Sequence, residues 1–177
     1  AGADLRESDL VGARLDDADM SEVVLRAAVL NDASIERCRF EPKDRVQGRF
    51  HRLVFPLGFD FRGRGLYGAE FDGCDLTRGD FGGQDLTRAS FQGANLAGAR
   101  FTEAHAPEAL FDGADLAHVD FSGATLESAA FVGAKLAGVN FSGARLHAVN
   151  LAGQDLTRVK LAGATLTQAN MAGAKLA

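Results

Sequence analysis

The sequence predicts an all-β solenoid, in which successive turns of the chain stack on one another. A large apolar residue recurs at every fifth position, and residues of the same type recur 20 positions apart. From Phe61 to Leu176, 23 of 24 such fifth positions are Phe, Leu or Met, and Ala106 is the exception. A small residue, usually Ala, precedes most of them by two positions. The repeating unit is therefore Ala-(Asp/Asn)-(Leu/Phe)-X-X.

A period of five excludes the two ordinary secondary structures. In an α-helix, five residues advance by roughly 140°, so the large residues would spiral around the helix axis instead of forming one stripe. In a flat strand, an odd period would place successive large residues on opposite faces. A backbone that bends once every five residues satisfies the pattern, and four such segments close a coil of about 20 residues. We expect the large residue and the small residue two before it to face inward.

Residues 20 apart should then stack as ladders, and two ladders of Phe alternate with two of Leu. Stacking of like on like fills the interior of a β-solenoid. Glycines also recur 20 apart, from Gly73 to Gly173, where a turn favours positive φ. The predicted core of the regular coils includes Phe61, Phe71, Phe81, Phe91, Phe101, Phe111, Phe121, Phe131, Phe141, Leu66, Leu76, Leu86 and Leu96.

One interruption divides an otherwise single domain, 1–177. Residues 1–40 form the first coils, 41–60 a loop and a degenerate coil, and 61–177 the regular coils. Phe40 and Phe61 are 21 residues apart, one more than four repeats, so one residue is inserted. Residues 41–47 carry no motif and are predicted to leave the coil as a loop. Segment 41–64 has a net charge of +3. Two interpretations of it remain open: a solvated loop that accommodates the change of register, and a loop that binds a partner.

No catalytic motif is found in the sequence. Cys38 and Cys74 occupy the small inward position and are interpreted as core residues. The histidines show no metal-ligand spacing, and His105, His118 and His147 are predicted near corners. The recurrent Asp residues are expected to hydrogen-bond turn backbone. We therefore expect no enzyme activity, cofactor or metal.

The composition adds expectations about location. No apolar run approaches the length of about 18 residues that a transmembrane helix needs, so no membrane span is predicted. The start of the chain does not resemble a signal peptide. A cytoplasmic protein is expected, with a secreted effector as the alternative. The chain begins and stops in mid-pattern, which suggests a domain of a larger protein whose ends are covered by the parent chain or a dimer partner.

These repeats resemble the pentapeptide-repeat family over nearly the whole chain. The resemblance implies a right-handed quadrilateral β-helix, here of eight to nine coils. It also implies a role in binding rather than catalysis. Some members of the family are similar rods that bind DNA gyrase and protect it from quinolones, and an acidic rod can imitate the charge of duplex DNA.

Charge is the only functional signal along the chain. Residues 66–127 carry a net charge of −8 and residues 128–177 a net charge of +4, within an overall charge of −5. One hypothesis is a scaffold that presents a rigid charged surface to an unidentified protein. The alternative is a DNA mimic that binds gyrase; direct nucleic-acid binding is not expected. Candidate partner-binding residues are Asp75, Asp80, Asp85, Asp112, Asp115, Asp120, Arg45, Arg49 and Arg52.

Overall fold

Parallel pairing between residues 20 apart organises the chain as a β-solenoid. The computed structural model describes residues 2–35, 38–41 and 48–176. Strands β1 (Asp19–Ser21) and β2 (Arg39–Glu41) pair in parallel, with Asp19 opposite Arg39. The remaining contacts between coils are single parallel bridges, as in the series Asp80, Arg100 and Asp120. Strands stay short because the backbone turns after every five residues.

Each five-residue unit combines a turn with a link to the next coil. In the unit that begins at Phe81, the amide of Gln84 donates to the carbonyl of Phe81 at 3.2 Å and closes the turn. The amide of Phe81 itself donates to the carbonyl of Arg100 in the next coil at 2.7 Å. Gly83, third in the turn, has φ +65°, as a type II turn requires. The predicted glycine columns are confirmed: from Gly73 to Gly173 their φ values are positive.

The interior is a continuous ladder of apolar side chains. Each of the thirteen residues named above as the predicted core is at most 2% exposed. Rings one coil apart stack, for example Phe61 on Phe81 with centroids 4.2 Å apart and Phe91 on Phe111 with centroids 5.2 Å apart. The two Phe ladders also meet edge to face, a favoured aromatic geometry, as Phe81 and Phe91 do at 5.5 Å.

The register changes by one residue at a single turn. Val54 pairs with Asp75 at a spacing of 21, whereas Asp60 pairs with Asp80 at the ordinary spacing of 20. The amide of Phe59 donates to the carbonyl of Pro56, so the extra residue lies in this turn. Arg49 pairs with Val29 at the ordinary spacing of 20. Of the predicted loop 41–47, residues 42–47 lie outside the part of the chain that the structure describes.

Glutamine at the small inward position coincides with a missing bridge between two coils. Gln154 occupies a position where Ala is usual, and its Nε2 donates to the carbonyl of Phe131 at 2.8 Å. Among the described residues, no bridge joins Lys135 to Asp155, although the equivalent positions on neighbouring coils are bridged. The missing bridge directly follows Gln154, whose amide side chain is longer than the methyl group of Ala.

Candidate functional site

The six candidate Asp residues fall on different columns of the solenoid. Asp75 and Asp115 belong to one bridge column, with Asn95 between them. Asp80 and Asp120 belong to the next column, where Arg100 separates them. The other two positions also differ: Asp85 lies on a third column, and Asp112 lies on the turn that leads to Asp115. The structure therefore divides one predicted patch into two neighbouring surfaces and one outlying residue.

The first surface, here called the acidic edge, consists of Asp72, Asp75, Asp112 and Asp115. Each uses Oδ1 to accept a hydrogen bond from a backbone amide: those of Gln92, Thr77, Val132 and Ala117, at 3.2, 3.0, 2.7 and 3.1 Å. Asp75 and Asp115 stand before a large residue and accept the amide two positions on in the same turn, which explains why Asp recurs there. Asp72 and Asp112 follow a large residue and accept an amide of the next coil, 20 positions on. These backbone hydrogen bonds use only one oxygen of each carboxylate, so the acidic edge is ordered and negatively charged.

A lysine closes the acidic edge at its end nearer the C-terminus. Lys135 Nζ lies 3.0 Å from Asp115 Oδ2, one coil along the rod. This ion pair lowers the pKa of Asp115. Among the described residues, no ion pair involves Asp75 or Asp112, so the uncompensated charge lies mainly on these two. Asp72, which was not among the predicted residues, has His51 Nε2 at 3.8 Å from its Oδ2.

The second surface, here called the Asp80 column, carries both signs of charge. It consists of Asp60, Asp80, Arg100, Asp120, Asn140 and Lys160, bridged in that order. Burial raises the pKa of the Asp120 carboxyl, but hydrogen bonds from Ser122, Asn140 and Thr102 outweigh burial and lower it overall. Arg62 Nε lies 3.5 Å from Asp80 Oδ2, and Arg100 Nη1 lies 4.0 Å from the same atom.

The candidate arginines are engaged within the rod. Arg52 Nε donates to Asp32 Oδ1 at 2.6 Å, and Arg49 Nε lies 3.4 Å from Glu70 Oε2. Arg45 lies outside the described residues. His51 joins the same region, with Nε2 at 3.0 Å from Glu70 Oε2 and 3.8 Å from Asp72 Oδ2.

The sequence analysis missed this cluster because it assigned stacked residues only from Phe61 onward, although it predicted the inserted residue itself. The spacing across the inserted residue is 21, and it places His51 beside Asp72. Since both arginines already neutralise acidic neighbours, they are not a separate basic surface.

The groups that could carry chemistry are buried or dispersed. Burial raises the pKa of the Cys74 thiol to about 12 and also raises that of Cys38. Within 2–35, 38–41 and 48–176, no group of three or more His, Cys, Asp or Glu could hold a metal ion. His118 and His147 lie on turns, but the prediction for His105 was wrong, because it is the outward residue of a bridge to Asp85. No helix of the described part is long and apolar enough to cross a membrane.

Several solved structures are similar to this chain. HetL, a pentapeptide repeat protein involved in heterocyst differentiation regulation from Nostoc sp. strain PCC 7120, shares 26% identity over 99% of this chain and 85% of its own, with a TM-score of 0.47. Full-length QnrB1, a plasmid-mediated fluoroquinolone resistance protein, shares 17% identity over 99% and 92%, with a TM-score of 0.34. Rfr23 from the cyanobacterium Cyanothece 51142 shares 22% over 62% and 57%, with a TM-score of 0.19.

Family models match most of the sequence directly. None of the curated proteins compared with this chain matches it significantly. Residues 66–141 match the model described as pentapeptide repeat region. Residues 2–41 and 144–177 match the model described as pentapeptide repeats (8 copies). With the five-residue turns and the parallel bridges between coils, these matches show that the chain belongs to the pentapeptide-repeat family, whose fold is a right-handed β-helix.

Proposed function

We propose that this protein is a non-enzymatic scaffold whose acidic edge binds a basic surface of another protein. The observation that carries the proposal is the row of Asp residues at 72, 75, 112 and 115, held by backbone hydrogen bonds. We further propose a quadrilateral cross-section and eight to nine coils, which would present this row as a straight edge. Because the carboxylates are already ordered, a partner would not lose affinity to side-chain ordering.

The arrangement of charges favours a protein partner. Electrostatic complementarity of this kind governs partner choice and association rate more than raw affinity. The second oxygens of Asp75 and Asp112 are the natural acceptors for Lys or Arg side chains. Binding through them should weaken steeply with salt. The buried thiols and the dispersed histidines support a role without catalysis.

Charge removal that preserves the turns tests this proposal. Asn accepts both kinds of backbone hydrogen bond: Asn95 Oδ1 accepts from Ala97 in its own turn at 3.2 Å, and Asn31 Oδ1 accepts from His51 in the next coil at 3.1 Å. The test variant is therefore the triple change Asp75→Asn/Asp112→Asn/Asp115→Asn. The measurement is quantitative affinity capture from extract, followed by the Kd of each purified candidate. We expect a partner whose Kd rises about tenfold or more in the variant.

A matched control variant keeps the same change of net charge elsewhere. Asp9, Asp85 and Asp155 also accept turn amides, at 3.0, 3.1 and 3.1 Å. The control is Asp9→Asn/Asp85→Asn/Asp155→Asn, and it should bind the partner like the wild type. If every captured protein responds equally to both variants, the acidic edge is not the binding surface.

A DNA mimic that binds DNA gyrase is the second candidate, and the acidic edge is the observation that favours it. Residues 75 and 115 are two coils apart, or about 10 Å, over which duplex DNA carries about six phosphates. The edge offers four carboxylates, one of them paired with Lys135. A supercoiling assay with purified gyrase, with and without a quinolone, decides this case. Inhibition or protection by the wild type, lost in the acidic-edge variant, would support it; no effect from folded protein would exclude it.

A further inference from the structure

The Asp80 column is electrostatically complementary to itself when read in the opposite direction. Its outward residues run Asp60, Asp80, Arg100, Asp120, Asn140 and Lys160. A second copy, laid antiparallel against this column with a twofold axis between the coils of Arg100 and Asp120, opposes each residue to one of matching character. Asp60 faces Lys160, Asp80 faces Asn140, and Arg100 faces Asp120. Each of these pairs occurs twice, so all six positions are satisfied.

Only one register gives this match. A shift by one coil in one direction opposes Asp80 to Asp120 and Arg100 to its own copy. A shift in the other direction opposes Asp120 to its own copy. A parallel arrangement opposes every charged residue to an identical one. Like charges placed opposite each other are destabilising, so the charges select the antiparallel arrangement with its axis between Arg100 and Asp120.

Side-chain size on the adjoining turns follows the same symmetry. The turn column on one flank alternates large residues with Gly, and it reads Gly58, Arg78, Gly98, His118, Gly138 and Arg158. The same twofold operation opposes Arg78 to Gly138, His118 to Gly98 and Arg158 to Gly58. Each large residue therefore faces a position with no side chain.

The other flank is small or polar and carries no like-charge pair. There the operation opposes Thr102 to Ser122, Gly82 to Ser142 and Arg62 to Ala162. The next residues along these turns are at positions 63, 83, 103, 123, 143 and 163. Glu103 is the charged residue among them, and it faces Gly123. Both flanks can therefore approach a second copy without burying an uncompensated pair of like charges.

The two cations of the column, Arg100 and Lys160, remain available for such contacts, whereas Asp60 and Asp80 also contact Arg62 of their own chain. Arg100 is 61% exposed at the side chain, and its approach to Asp80 is at the 4.0 Å limit of an ion pair. Lys160 is exposed and forms no ion pair within the described part of the chain. We propose that two copies of this chain associate antiparallel through the Asp80 column, leaving the acidic edge on the neighbouring column free for another partner.

The geometry also sets the expected strength of this dimer. Six coils span about 24 Å between the first and last residues of the column, at the roughly 4.8 Å spacing of paired strands. A single column with its turns is a narrow contact, and small interfaces are typical of weak or transient association. Since its central pairs are charged, association should weaken as ionic strength rises.

Charge reversal and rescue test the proposal on the full chain. Sedimentation velocity over a range of protein concentrations at low salt should show a reversible dimer for the wild type. Lys160→Glu places Glu opposite Asp60 twice and should raise the dimer Kd about tenfold. The double variant Asp60→Lys/Lys160→Glu restores opposite charges and should recover the wild-type Kd to within about threefold.

The control is Lys175→Glu, which makes the same charge change outside the column and should leave the Kd within about twofold of the wild type. Circular dichroism before each measurement establishes that the variants are folded. A protein that stays monomeric throughout would overturn the proposal. So would a dimer that responds equally to Lys160→Glu and Lys175→Glu, as an end-to-end dimer would.

Discussion

The imidazole of His118 lies directly against Gly138 in the next coil. An ideal Cβ built at Gly138 would stand 2.6 Å from Nδ1 of His118, and Gly138 itself has φ +72°. The same relationship recurs where Arg52 covers Gly73, with the corresponding Cβ 3.3 Å from Cγ of the arginine. Glycine at these turns therefore has two roles: it adopts positive φ, and it leaves room for the large side chain of the preceding coil.

Gly138→Ala should destabilise the protein more than Gly133→Ala. Gly133 has φ +69° and open space where a Cβ would stand, so its substitution reports the left-handed backbone cost alone, about 1 kcal/mol. At Gly138 the exposed imidazole must also move away, which adds about 0.5–1 kcal/mol. Chemical denaturation measures both. In a His118→Ala background the difference should disappear; a difference that persists would show that the imidazole is not its cause.

The Phe ladder should carry more stability in the middle of the rod than the Leu residues near the C-terminal end. Phe101 is 0% exposed; its ring stacks on Phe81 at 4.6 Å and lies 4.8 Å from Phe121, tilted by 34°. Phe101→Ala should cost about 3–5 kcal/mol of unfolding free energy. Leu166 is only partly buried, so Leu166→Ala should cost less. Equal losses in urea denaturation would contradict a core that is packed most tightly at its centre.

Acid should lower the stability of the folded protein by protonating Asp60. Its hydrogen bonds with Arg62 lower the pKa of the Asp60 carboxyl from 3.8 to about 2. A lowered pKa stabilises the folded state above about pH 4, and this contribution is lost as the pH falls towards 2. The pair is more than half exposed, so the effect is small. Asp60→Asn and Arg62→Gln should each flatten thermal stability against pH between 4 and 2; an unchanged slope in both would refute the assignment.

Cys74 should be inert while the protein is folded. Its side chain is 1% exposed, it donates to the carbonyl of Phe50, and burial raises its pKa to about 12. Thiolate is the reactive form, so little is present at neutral pH. In a Cys38→Ser variant, a chromogenic disulfide reagent should label Cys74 only after denaturant is added. Rapid labelling of native protein would mean that the coil around Phe50 opens readily.

Gln154→Ala should stabilise the protein. The carbonyl of Phe131 that accepts from Gln154 also accepts from the amide of Ala134, so it keeps one partner. Removal of the long side chain allows the coils at Lys135 and Asp155 to pair, with a gain of about 0.5–1 kcal/mol.

The matched variant is Gln84→Ala, which loses the hydrogen bond from the backbone amide of Arg64 to Gln84 Oε1 at 3.1 Å. That variant should not be stabilised. Thermal unfolding of the two variants and the wild type tests this prediction. An unfolding midpoint for Gln154→Ala below that of the wild type would contradict it.

The five-residue period was enough to predict the coil and its interior. Period five is incompatible with a helix stripe or a flat strand, so the positions of Phe101 and Leu126 could be assigned inward without any structure. The glycine columns could be assigned to turns because Gly is the residue that adopts positive φ without strain. Local pattern and core composition agree along the chain, which is why this part of the prediction required no tertiary information.

Local sequence was less informative about the turns themselves. Fourteen of the described non-glycine residues also have positive φ, among them Arg78, Glu103 and His118. The turn geometry is imposed by the coil, and a residue such as His118 tolerates it because inter-coil hydrogen bonds and the core fix the backbone. Sequence preference alone would have reserved these positions for Gly, Asn or Asp.

Which charged residues are neighbours depends on how the coils stack. Residues close in sequence, such as Asp80 and Asp85, lie on different columns, whereas Asp80 and Arg100 lie side by side. The extra residue near Pro56 shifts the pairing to 21, which brings His51 to Glu70 and Asp72. Charge counts along the chain cannot reveal this, because each coil distributes its stretch of sequence around the rod, and only stacking brings distant residues together on one surface.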